Sequence, residues 1–155
     1  MRAPIIGKLQ YVLGTLASYQ NGFDLLYKTF KKQPVRKLVL RDGTKVYGNE
    51  NSLLHEVADE VFTKLVYTDP NVFIEDGDVV VDIGANVGVF SLFAFKEGAK
   101  RVYAYEPIVE HVVLIRKNLR ENSFDAFEVV NCAVARKKGA RAFDTKEKDA
   151  HGSFF

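Results

Sequence analysis

Apolar residues near the start of the chain recur at helical spacing. Ile5, Ile6, Leu9, Val12, Leu13 and Leu16 are separated by one, three and four positions, the stripe of an amphipathic helix. A secretory signal fits less well, because Gln10, Gly14 and Thr15 dilute the apolar run and no clean cleavage box follows. The period then changes to two: Lys37 to Tyr47 alternates around Asp42-Gly43, which predicts a hairpin with a primed turn. Leu54, Val57, Ala58, Val61, Phe62 and Leu65 share one side of a helix predicted over Leu53 to Tyr67.

After the turn signal Asp76-Gly77-Asp78, the unbroken run Val79-Val80-Val81-Asp82-Ile83 predicts a strand buried on both faces. A glycine-bearing turn and an apolar helix closed by Gly98 follow, with Phe90, Phe93 and Phe95 expected in the core. Arg101 to Glu106 then reads as a second strand, in which Tyr103 is expected to be buried. Pro107 opens a helix to about Asn122, and Phe127 to Ala133 forms a third strand. Strands alternating with helices predict an α/β fold with a parallel sheet. Residues 1–50 form an N-terminal helix and hairpin extension, and residues 51–155 the sheet domain. There is no internal repeat and no low-complexity segment.

Composition narrows the class. Hydrophobic residues at 47% and charged residues at 27% exclude a largely disordered or fibrous chain of 155 residues. A net charge of +2 from 22 basic and 20 acidic residues gives no reason to expect a nucleic-acid partner. No apolar run approaches the roughly 18 residues of a membrane span. Cys132 is the sole cysteine, so no internal disulfide forms, which suits a reducing, cytoplasmic setting. Charge is nonetheless segregated. Seven basic residues between Lys28 and Lys45 face only Asp42, and nine acids between Val46 and Phe90 face only Lys64. A solvated face is the ordinary reading of such a run; contact with an anionic substrate or membrane is the functional one.

The chemistry concentrates after Asp76. Ligands of parallel α/β sheets bind beyond the carboxyl ends of the strands. Asp82 ends the first strand there, and Gly84 and Gly88 let the backbone turn and leave room beside it. Glu106 ends the second strand, placed to accept hydrogen bonds from ribose hydroxyls. A dinucleotide fingerprint beginning at Gly84 would need glycines where Asn86 and Val89 stand, and no Gly-Lys-Ser/Thr triplet marks a phosphate loop. His55, His111 and His151 lack metal-ligand spacing and read as packing or solvated residues. Cys132 reads as a small buried residue rather than a nucleophile.

Asp82-Ile-Gly84-Ala-Asn86-Val-Gly88 resembles the first motif of class I S-adenosylmethionine-dependent methyltransferases, with Asn86 where many members carry glycine. Tyr105-Glu106-Pro107 resembles their second motif. The pair, with Asn118-Leu-Arg-Glu-Asn122, Ala133-Val134 through Gly139 and an upstream Tyr67, is closer still to the FkbM-type methyltransferases, over roughly Leu54 to Phe155. The resemblance implies a Rossmann-like methyltransferase sheet, S-adenosylmethionine as cofactor, and methyl transfer to a hydroxyl oxygen of a sugar or other small molecule. It implies that Gly84, Ala85, Asn86 and Gly88 line the methionine part of the cofactor. Asp82 would order the loop or meet the cofactor amine, and Glu106 would hold the ribose hydroxyls. Pro107 would back the adenosine, Cys132 and Ala133 would flank the adenine, and Tyr67 would reach the methionine carboxylate. Such sheets have seven strands and this chain ends after the third, so it is expected to hold the cofactor-binding half. The alternatives are a non-catalytic nucleoside-binding module and, against the glycine spacing, a nicotinamide-dependent oxidoreductase. The acceptor, the general base and the oligomeric state stay open.

Overall fold

The computed structural model describes residues 3–50, 52–67, 73–137 and 139. Two helices, α1 (Ala3–Ser18) and α2 (Gly22–Phe30), precede an antiparallel hairpin of β1 (Lys37–Val39) and β2 (Lys45–Tyr47). A short α3 (Leu54–Ala58) runs directly into a π-helical turn, Asp59–Thr63. Then come β3 (Val79–Ile83), α4 (Val89–Lys96), β4 (Arg101–Tyr105), α5 (Val109–Glu121) and β5 (Phe127–Val130). The last three strands form a parallel sheet in the order β3-β4-β5, pairing Asp82 with Ala104 and Ala104 with Val129. The α/β class read from the sequence is the one observed. No helix among the described residues is long and apolar enough to cross a membrane.

The larger of two buried clusters joins both halves of the described chain. Tyr19, Leu25, Leu38 and Val46 from the first half join Leu54, Val61, Val87, Leu92, Ala104, Ile115 and Leu119 in a single buried cluster. Helix α4 is apolar on nearly every side because it lies at the centre, with Val89, Leu92, Phe93 and Ala94 all buried. Phe90 and Phe95 are packed against the core rather than enclosed by it.

Several expectations change in detail. Only one face of the sheet, carrying Asp82, Val102, Ala104 and Val129, is covered by described residues. Val79, Val81 and Ile83 on the other face are 50–62% exposed, so β3 is not buried on both faces. Tyr103 belongs to that open face and is half-buried, with the Arg101 guanidinium 5.1 Å from its ring centre. The helix expected to reach Tyr67 stops early. In the π turn the Lys64 N–H bonds to the Asp59 carbonyl, five residues back, which adds a residue to the turn and rotates Leu65 out to solvent. Helix α5 begins at Val109, not Pro107, because Ile108 is extended.

The N-terminal helix forms as expected, but Leu9, Val12 and Leu13 stay exposed, while Thr15 and, just past the helix end, Tyr19 are buried. Its carboxyl end has no basic residue of its own, and Arg41 in the hairpin supplies one. The guanidinium donates to the Leu16 and Ala17 carbonyls, and the Arg41 N–H to that of Ser18. The hairpin turn also departs from the primed type. Gly43 alone takes a positive φ, of 90°, and its N–H returns to Leu40. Asp42 keeps a negative φ and accepts from the Thr44 N–H and from Lys96 of α4. Those bonds outweigh the upward push of burial and bring the Asp42 carboxyl down to about 2.

Two asparagines fasten the hairpin to α5. Asn122 accepts from the Lys45 N–H at 2.9 Å and donates to its carbonyl at 2.7 Å. One turn earlier, Asn118 does the same for Tyr47, at 2.8 Å both ways, and donates also to the Val87 carbonyl at 2.7 Å. Residues two apart on a strand and four apart on a helix are separated by roughly 6–7 Å, so the two amides match the two strand positions. Asn118 is fully buried. Asn118→Ala would leave the buried Val87 carbonyl unpaired, at about 1–3 kcal/mol, while the half-buried Tyr47 groups turn to water at lower cost. Urea unfolding should show a loss of about 2–4 kcal/mol in total; a loss below about 0.5 kcal/mol, the usual range for surface changes, would contradict this role.

Candidate functional site

The loop between β3 and α4 crosses the carboxyl ends of the strands and is held by backbone bonds from below. Gly84 and Ala85 both donate to the Tyr105 carbonyl, at 2.9 and 3.1 Å, and Gly88 donates back to Ala85 at 2.7 Å. Three of its residues are left-handed: Gly84 (φ 75°), Asn86 (φ 50°) and Gly88 (φ 82°). Asparagine is among the few side chains that tolerate this region.

The two glycines serve different ends. A Cβ at Gly88 would come within 3.2 Å of the Ile115 side chain, so this glycine permits α4 and α5 to approach. It does not leave the ligand space that the sequence suggested. A Cβ at Gly84 would meet nothing within 4 Å, and here the backbone does border open space.

Glu106, at the end of β4, is buried to 4% exposure beside this loop. One carboxylate oxygen accepts from the Asn86 N–H at 2.8 Å and the other from the Ile108 N–H at 2.9 Å. A carboxylate has about four acceptor positions, so each oxygen retains one. Its own carbonyl, and that of Pro107, receive the Asn131 amide at 2.9 and 2.8 Å. Glu106 therefore joins the β3–α4 loop to the start of α5 before any ligand arrives.

Asp82 lies one strand over, on the covered face. It accepts the Ser91 hydroxyl at 2.6 Å and the Ser91 N–H in the first turn of α4, where a negative charge suits the helix dipole. Burial drives its carboxyl up to about 6, the Ser91 bonds oppose that rise, and the charge of Glu106 adds to it. These bonds tie the end of β3 to the first turn of α4.

Tyr67 is exposed, with its ring 5.2 Å from that of Phe90 in the first turn of α4, which brings it to the mouth of the same loop. Cys132 is exposed, contrary to expectation, and with Ala133 it lies just beyond the end of β5. Among the histidines, His55 is buried between Tyr11 and Tyr19, and its ring nitrogen lies 3.1 Å from the Tyr11 hydroxyl. Burial lowers its pKa, against the pull of Glu56 and Asp59. His151 lies outside the described residues.

Sequence reading missed three participants. Ser91 holds Asp82, Asn131 holds the chain around Glu106, and His111 brings Nδ1 to 3.6 Å from a Glu106 oxygen. Only His111 carries a usable signal, five residues after the acid, where the first turn of the following helix folds back over the strand end. Two buried polar atoms at this place have no protein partner: the Asn86 side-chain oxygen and His111 Nδ1. Together with the open space at Gly84 and the free acceptor positions of Glu106, they suit a polar ligand with adjacent hydroxyls.

No protein-family model matches the chain. Over 83 residues it is 39% identical to the 31-O-demethyl-FK506 methyltransferase FkbM of Streptomyces tacrolimicus, covering 53% of this chain and 32% of that protein. Over 87 residues it is 32% identical to protein arginine N-methyltransferase 1 of Caenorhabditis elegans, covering 56% and 24%. Among solved structures, it is similar to the PRMT1 enzyme–prozyme complex of Trypanosoma brucei with AdoHcy. That match has 30% identity and a TM-score of 0.34 over 36% of this chain and 18% of that one. The chain thus spans a third or less of the length of these methyltransferases.

The raised pKa of Asp82 fixes a pH dependence. The folded state holds this proton more tightly than the unfolded chain does. The stabilisation is therefore complete below about pH 4 and fades as pH rises through 6. Asp82→Asn carries no such titration. The stability difference between wild type and Asp82→Asn should move against wild type by on the order of 2–3 kcal/mol between pH 4 and 7. Urea unfolding across that range reads it, and a constant difference would contradict the assignment.

Proposed function

We propose that this chain carries the cofactor-binding part of an S-adenosylmethionine-dependent methyltransferase of FkbM type, acting in the cytoplasm on a hydroxyl oxygen of a small-molecule acceptor. The observation that carries the reading is Glu106. A buried carboxylate at a strand end, bonded to the Asn86 N–H of the neighbouring glycine loop, keeps acceptor capacity for a ribose diol. The 39% identity to a protein named as the methyltransferase of 31-O-demethyl-FK506 supports the hydroxyl acceptor over the arginine nitrogen of the second relative.

When bound, S-adenosylmethionine supplies a methyl group on a sulfonium, a good leaving group. The residues of this chain then bind and orient. Gly84, Ala85, Asn86 and Gly88 shape the loop beside the methionine part, with Gly84 leaving the space. Asp82 holds the loop through Ser91, and its negative charge suits a cationic ligand. Pro107 backs the adenosine, Cys132 and Ala133 border the adenine edge beyond β5, and Tyr67 stands at the mouth toward the methionine carboxylate. The chemistry of transfer rests on positioning and on excluding water, with a base for a hydroxyl acceptor.

Calorimetric titration of the chain with S-adenosylmethionine, with NAD as control, tests this. Saturable binding of the first alone is expected. Glu106→Ala should weaken it by about tenfold or more, the worth of hydrogen bonds to a charged group. Gly84→Ala should weaken it too, by filling the open space. Comparable binding of NAD, indifference to Glu106→Ala, or no saturable binding by the folded chain would overturn the reading.

A further inference from the structure

His111 is assigned no part by the motifs, yet its buried Nδ1 has no hydrogen-bond partner and faces the Glu106 carboxylate. It lies in the first turn of α5 and is 8% exposed. Its Nδ1 is 3.6 Å from the oxygen that accepts the Ile108 N–H, beyond the length of a formed hydrogen bond. A neutral imidazole carries its hydrogen on one nitrogen and a lone pair on the other. A lone pair on Nδ1 would point at a carboxylate oxygen, and both are negative. A hydrogen on Nδ1 points the positive end of the N–H at that oxygen. The geometry selects the second arrangement.

Resting on the nucleoside reading above, we propose that His111 is the positioning residue for Glu106, donating Nδ1–H to the carboxylate when a ribose diol engages it. Without a ligand, the two backbone donors hold the carboxylate and the histidine stands slightly off. A diol engages the remaining position of the oxygen that holds the Asn86 N–H, and a shift of about half an ångström closes the 3.6 Å gap, so that Nδ1–H fills the last position of the oxygen that holds the Ile108 N–H. The third donor then fixes the direction of the lone pair left for the diol. Asp82, the other acid near Glu106, is taken up by Ser91 and does not compete for the imidazole.

Size and geometry separate this role from packing. The amide nitrogen of an asparagine reaches the place of Nδ1, whereas glutamine reaches that of Nε2. In titrations of the chain with S-adenosylhomocysteine, His111→Gln should weaken binding about tenfold, and His111→Asn should stay within about twofold of wild type. With adenosine the same order should hold. With 2′,3′-dideoxyadenosine, which lacks the diol, all three proteins should bind alike. Nitrogen-15 spectra of the unliganded chain should show His111 protonated on Nδ1, and Glu106→Gln should release that preference. Glutamine binding as well as asparagine, equal losses for the diol and dideoxy ligands, or an Nε2–H ring overturns this proposal alone. A wild-type chain that binds neither S-adenosylhomocysteine nor adenosine overturns the nucleoside reading and this proposal with it.

Discussion

The amide of Asn118 is the constraint on which the rest of the arrangement turns. It has no contact with solvent, and its three hydrogen bonds end on Tyr47 of the hairpin and Val87 of the glycine loop. A buried amide of this kind stabilises only when satisfied, and each of its partners would otherwise be an unpaired backbone group. Hairpin, α5 and loop therefore meet at one residue. Ile115, one turn earlier on the same helix, presses on Gly88 and sets how closely α4 approaches. The loop's shape is thus decided from the α5 side before any ligand is considered.

The same economy governs the two acids. A buried carboxylate is tolerable only where donors surround it. Asp82 finds them in Ser91, and Glu106 in the N–H groups of Asn86 and Ile108. The donors belong to the segments that border the proposed nucleoside site, so the cost of burying charge and the ordering of those segments are met by the same bonds. A site organised in this way loses little conformational freedom on binding.

Much of this was legible in the chain. The alternation of strand and helix after Asp76, the acids at both strand ends and the glycine turn between them follow from local pattern, because each depends on residues close in sequence. Less was legible where distant segments meet. Leu65 turns outward because a π turn inserts a residue, and no periodicity reveals that in advance. Cys132 was expected inside and is exposed, since it lies past the last bonded residue of β5 rather than within it. Gly84 and Gly88 look equivalent in sequence, and only the position of Ile115 tells them apart. His111 stands five residues after the acid in sequence, but its place over Glu106 comes from the fold.

The asparagine pair on α5 has one more consequence. A two-stranded hairpin normally offers an outer edge of free N–H and C=O groups, the template on which strands of other molecules add and aggregation begins. On β2 those groups belong to Lys45 and Tyr47, and both pairs are occupied by side-chain amides of Asn118 and Asn122. A helix here caps a strand edge without becoming a strand, so the hairpin is closed to recruitment on that side.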